Sequence, residues 1–122
     1  LKITLNGDTG SNYNYLYAFG DQASGGSVQA NRSVTGIYLN ANGVAGIDSG
    51  NTTNAWRVTV YDVLSDHYSV VKHSGSGVQA GSTFFYAIDG TTMWRNTAAI
   101  TSFEIRSDQS LTAGTVKLYG VK

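Results

Sequence analysis

The chain predicts an all-β fold, a two-sheet antiparallel β-sandwich of jelly-roll-like form with eight or nine short strands. Three observations carry this. Apolar and polar residues alternate with period two in several short runs, the mark of half-buried strands. Turn signals rich in Gly, Asn, Asp and Ser separate the runs roughly every 8–12 residues, the spacing of sandwiches and barrels. Fifteen glycines accompany an absence of proline, and the helix formers Leu, Lys and Ala do not cluster at helical spacing.

The elements follow in order. Leu1–Leu5 alternates from its first residue. Asn6-Gly7-Asp8-Thr9-Gly10-Ser11 supplies turn chemistry, since Gly and Asx residues tolerate positive φ. Tyr13–Phe19 is a strand with Tyr13, Tyr15, Tyr17 and Phe19 on one face and Asn14, Leu16 and Ala18 on the other. Gly20–Gly26 is a loop. Val34–Leu39 is a strand with Ile37 and Leu39 sharing a face, and Asn40–Asn54 is loop-like, with a short edge piece at Val44–Ile47.

Ala55–Leu64 carries the strongest alternation, with Trp56, Val58 and Val60 inward. Ser65-Asp66-His67 is a tight connection to the strand Tyr68–Lys72. His73–Gly81 is a Gly/Ser loop. Thr83–Ile88 is a strand ended by Asp89-Gly90, a type I′ hairpin signal, and Thr91–Arg95 returns from it. Ile100–Arg106 and Thr115–Val121 are the last strands. Val116 and Leu118 are expected to face the core, Tyr119 to point outward, and Gly120 to mark a bulge. Closure between the first and last strands completes the expected sandwich.

Composition bounds the function. One domain is expected over residues 1–122, long enough for a single core. The chain starts within a strand and without Met, so it is read as the C-terminal module of a longer protein. Eight basic residues balance eight acidic ones, which leaves no electrostatic footprint for nucleic acid or an anionic membrane. No apolar run approaches the ~20 residues that cross a bilayer, so no membrane insertion is expected. Cysteine is absent, so no disulfide or thiolate metal site forms.

Catalytic constellations are weak. Glycoside hydrolysis needs two carboxylates about 5–9.5 Å apart; Asp62 and Asp66 are the nearest pair, and a turn-capping Asp66 explains them without chemistry. His67 or His73 could be written into a triad, but no nucleophile elbow accompanies them. Asn6–Asn12 places oxygens at alternate positions as a calcium loop does, yet lacks the distal bidentate Glu. No cofactor and no enzyme activity are expected. Tyr13, Tyr15 and Tyr17 are the best functional hint, a flat ladder that fills the core, forms a subunit contact or stacks on sugar rings. With Tyr119 they are the candidate ligand or partner contacts.

Three stretches carry a resemblance. They are Leu5-Asn6-Gly7-Asp8-Thr9-Gly10-Ser11-Asn12-Tyr13, then Met93-Trp94-Arg95-Asn96-Thr97-Ala98-Ala99-Ile100-Thr101-Ser102, then Ala113-Gly114-Thr115-Val116-Lys117-Leu118-Tyr119-Gly120-Val121-Lys122. In this order they resemble a C-terminal β-sandwich module of tailed-bacteriophage virion proteins, of the tail-fibre tip or capsid-decoration type. The resemblance implies a non-enzymatic structural module on the particle surface, homo-oligomeric and in contact with other virion proteins, serving assembly or attachment to a host surface glycan. It implies no catalytic residues. The rival reading from the tyrosine ladder is a carbohydrate-binding module.

Overall fold

A computed structural model describes residues 1–21, 25–39, 54–64, 66–78, 85–107 and 114–120. Eight strands form in them: β1 (Lys2–Leu5), β2 (Tyr13–Asp21), β3 (Gly25–Val34), β4 (Ile37–Tyr38), β5 (Ala55–Val60), β6 (Ser69–Val78), β7 (Phe85–Trp94) and β8 (Phe103–Arg106). No helix occurs among the described residues. The strands make a five-stranded sheet, β3-β2-β7-β6-β5, and a three-stranded sheet, β4-β1-β8. Every pairing is antiparallel. The fold is the expected all-β sandwich of two antiparallel sheets, with β1 pairing β8 in one and β2 pairing β7 in the other.

Alternation decides which face is buried. Tyr13, Tyr15 and Tyr17 of β2 and Tyr86, Ile88, Thr92 and Trp94 of β7 point inward and are buried. Ile3 and Leu5 of β1 and Ile37 of β4 meet Tyr13, Val71 and Trp94 across the gap between the sheets. A second cluster, Tyr15, Tyr17 and Ile88, continues along the five-stranded sheet, and partly buried Trp56 packs against both.

Several expected boundaries move. Asp89-Gly90 makes no turn; β7 runs straight through it. Gly90 faces inward between its cross-strand neighbours Tyr17 and His73. A Cβ there would lie 2.5 Å from the Tyr17 Cβ and 2.7 Å from the His73 ring. This glycine provides space for rings, and the ladders on both sides of β7 override the local turn preference. The expected loop at His73–Gly81 is strand as far as Val78 for the same reason, with Gly75 lying beneath the Trp56 indole. The loop expected over Gly20–Gly26 is strand at both ends, since β2 reaches Asp21 and β3 begins at Gly25.

Val34–Leu39 is not one strand. A register shift between β2 and β3 and a positive φ at Ser33 end β3, and Gly36 passes close to the Ile3 carbonyl as the chain crosses to the other sheet. Ile37 and Leu39 are buried on one face as expected. The last expected strand does not form in residues 114–120, where Val116 and Leu118 are 67% and 74% exposed rather than inward. β1 already has β4 on one edge and β8 on the other, so closure of the first strand with the last has no free edge to use. Without a ladder, Gly120 is no bulge. The expected edge piece Val44–Ile47 lies outside the described residues.

Candidate functional site

The tyrosine ladder belongs to the interior. Tyr15 and Tyr17 stack at 4.7 Å between ring centroids, Tyr17 meets Phe19 edge-on at 6.2 Å, and Tyr13 lies against Trp94 at 6.5 Å. All three tyrosines are buried. The Tyr17 hydroxyl donates to Gln29 Oε1 at 2.7 Å. The three side chains are therefore turned to the inner face, because a half-buried strand needs one inward face and Leu16 and Ala18 take the outward one. Tyr119, the fourth candidate, is 77% exposed.

Asp8 organises the end of the sandwich where the two sheets meet. Its Oδ2 accepts from Trp94 Nε1 at 2.8 Å and from Asn12 Nδ2 at 3.0 Å, and its Oδ1 accepts from the Gly10 amide at 2.9 Å. The Asp8 carbonyl accepts from the Tyr13 hydroxyl, which itself accepts from the Leu5 amide. Burial raises the Asp8 carboxyl, but the hydrogen bonds from Trp94, Asn12 and Gly10 outweigh it and hold the group below the usual carboxylate value. Asn6, at φ 51°, donates to the Ala99 carbonyl and accepts from the amides of Thr101 and Ser102. Arg95 donates to the Ser11 carbonyl and to Ser33 Oγ.

In the loop with calcium-like oxygen spacing, Asn6 Oδ1 and both Asp8 carboxylate oxygens thus accept from the protein itself. Among the described residues, no three His, Cys, Asp or Glu side chains converge. Chelation with EDTA is expected to leave the melting temperature unchanged. A fall beyond about 4 °C, roughly 1 kcal/mol for a domain of this size, would reveal a structural metal.

The carboxylates considered for catalysis stay on the surface. Asp62 sits at φ 60° and is exposed. Asp66 Oδ1 is 2.7 Å from its exposed neighbour, His67 Nδ1. His73 is buried instead, its Nε2 sharing a 3.3 Å hydrogen bond with Thr92 Oγ1 while its Nδ1 has no partner. Tyr86 Oη and Trp56 Nε1 are likewise buried without partners, and burial pushes the Tyr86 phenol up to about 12. These polar atoms lie along one glycine-floored inner face.

Burial also lowers the His73 pKa, with Asp89 opposing the shift weakly. The folded state therefore disfavours His73 protonation and the unfolded state does not. Above the ordinary value of 6.5 both states are neutral there. As pH falls below it, the unfolded state binds the proton first, and stability drops by up to about 1.4 kcal/mol per unit until the folded pKa is reached. Melting between pH 7.5 and 5 is expected to show this fall. His73→Asn should flatten it; an unchanged slope in that variant would assign the fall to another group.

Among the described residues, the outward face and edge of the five-stranded sheet are accessible. Leu16, Val28, Val70 and Phe85 are exposed there. An open depression of about 440 Å³ lies at the β2–β3 irregularity, lined by Asn14, Tyr15, Ala30, Asn31 and Arg32. At the β5–β6 connection, Tyr61, Leu64 and Tyr68 are exposed together. This surface offers backbone edges and apolar area. The sequence showed the period that turns these residues outward, but not the Asp8–Trp94 bond, whose partners lie 86 residues apart. No family model, curated protein or solved structure matches the chain.

Proposed function

We propose that this sandwich is a non-enzymatic structural module of a tailed-phage virion, carried on the capsid exterior or at a fibre tip, where it serves assembly or attachment to the host surface. One observation carries the reading. The first two stretches behind the virion resemblance interlock in space: Asp8 of the first holds Trp94 of the second, Asn6 holds residues 99–102, and Arg95 holds Ser11. Bonds of this kind tie the loop after β1 to the end of β7 and the segment that follows it, which is the part a structural module needs. Residues 114–120 of the third stretch are exposed, and Val116, Leu118 and Tyr119 there would touch neighbouring virion proteins. The carbohydrate-binding alternative loses its main support with the burial of the tyrosine ladder.

The test is localisation on purified particles. Antibodies raised against residues 1–122 should decorate capsid exteriors or fibre tips in immunogold micrographs, and peptides of the chain should be found in the particle proteome. A proteome of intact particles lacking the chain would overturn the proposal. If the module contacts the host, the purified domain should also slow phage adsorption when added in excess; decoration without this effect would assign it to assembly.

A further inference from the structure

β3 closes one side of the five-stranded sheet. Residues 25–31 pair one for one with β2, and among the described residues no strand lies along the other edge. The strand is exposed over nearly its whole length. Unpaired edges recruit other strands, and proteins commonly blunt them with charge, proline, bulges or short length. Between Gly25 and Asn31 there is no charge and no proline. The register shift and the single charge, Arg32, come only after Asn31.

We infer that this edge pairs antiparallel with β3 of a second copy of the chain, about a two-fold axis through Val28. The argument is self-complementarity. A two-fold normal to the sheet places Val28 opposite the partner's Val28, Ser27 opposite the partner's Gln29, and Gly26 opposite the partner's Ala30. Directly opposed residues in an antiparallel pair share a face. Val28, 69% exposed, then meets its own apolar copy on the outward face, flanked by Ala30 and the exposed Leu16 on the neighbouring strand. Ser27 and Gln29 meet on the other face, where polar pairs bond.

Opposed positions also have like parity. The residues whose N–H and C=O point away from β2 therefore meet residues whose groups do the same, and the ladder closes. Arg32 falls outside the paired stretch in both copies, so no like charges are opposed. Pairing β3 with β5 of another copy would be head-to-tail and open-ended, whereas β3 on β3 closes at two. Five opposed positions bury a small area, so the contact belongs to the weak class of interfaces and its occupancy depends on concentration.

The experiment is light scattering and sedimentation equilibrium on a dilution series of the purified chain, with two variants. The wild type should rise with concentration from the 12.9 kDa chain mass to twice that value and no further. Val28→Lys sets two ammonium groups against each other at the axis and should stay at the chain mass, with unchanged circular dichroism and melting because the site is exposed. Val28→Cys introduces the only thiol of the chain and should form a disulfide-linked dimer under mild oxidation much faster than Leu64→Cys, a control at an 84% exposed site. A wild type at the chain mass throughout would overturn the inference and leave the edge to a strand from a different protein. So would open-ended assemblies, dimers that persist in Val28→Lys, or equal crosslinking of the two cysteine variants. The virion proposal does not enter: absence from particles would leave the dimer standing.

Discussion

Trp94→Ala is expected to cost about 3–5 kcal/mol, the largest single loss in this chain, because it empties the biggest fully buried side chain. The indole sits where three constraints meet. On the inward face of β7 it is flanked by Tyr13 on β2 and Ser69 on β6, and the small serine leaves room for it. Its ring lies against Tyr13, and its Nε1 holds Asp8. Removing it opens a cavity between the sheets and takes the aromatic donor from the carboxylate that organises the Asn6–Asn12 loop. Against a total stability of about 5–15 kcal/mol, such a loss leaves little or no folded protein at 37 °C.

Trp94→Phe separates the two contributions. It keeps most of the ring and removes only the donor, so it should cost about 1–3 kcal/mol. The Asp8 carboxyl should then titrate higher, because one of the hydrogen bonds holding it down is gone. Denaturant melts of the two variants, with the Asp8 titration followed by NMR, check both parts. A Trp94→Ala protein that melts cooperatively near the native midpoint would show that the indole does not hold the sheets together.

Gly75→Ala should also be damaging, costing about 1–3 kcal/mol through overpacking, even though it adds a single methyl and replaces glycine with a better strand residue. A Cβ at this position would overlap the Trp56 indole and lie 2.6 Å from the Ala55 carbonyl. The carbonyl belongs to the β5–β6 ladder and cannot retreat without breaking it. The indole already packs against Tyr86, with 6.2 Å between ring centroids. Gly26→Ala provides the contrast, since the nearest atom to its added Cβ is 3.7 Å away; it should be close to neutral. Equal melting temperatures for the two variants would mean that Trp56 does not lie over β6.

The same glycine shows why parts of the fold were hidden in the sequence. His73-Ser74-Gly75-Ser76-Gly77 has the composition of a flexible loop, and Asp89-Gly90 that of a hairpin turn. Both lie within long strands because the facing rings of Trp56, Tyr86 and Tyr17 need positions without a side chain. Local composition reports the conformations a backbone tolerates; it does not report the bulk on the neighbouring strand. The C-terminal stretch errs the other way. Thr115–Val121 has a strand's alternation, but residues 114–120 make no ladder, and the edge expected for them, on β1, is taken on both sides by β4 and β8.

By itself, the sequence determined the class of fold, the inward face of β5 and the sorting of β2 into two faces, since period-two alternation is a local property that survives any choice of pairing partner. It therefore also determined that Tyr13, Tyr15 and Tyr17 share one face with a single fate. Tertiary structure alone decided what that fate is. Burial of the tyrosines depends on Ile3, Leu5 and Ile37 arriving from the other sheet, and the role of Asp8 depends on a tryptophan 86 residues away. Strand order likewise follows from which edges remain available once the neighbours have paired. That competition among distant segments for the same hydrogen bonds and the same space has no counterpart in local pattern.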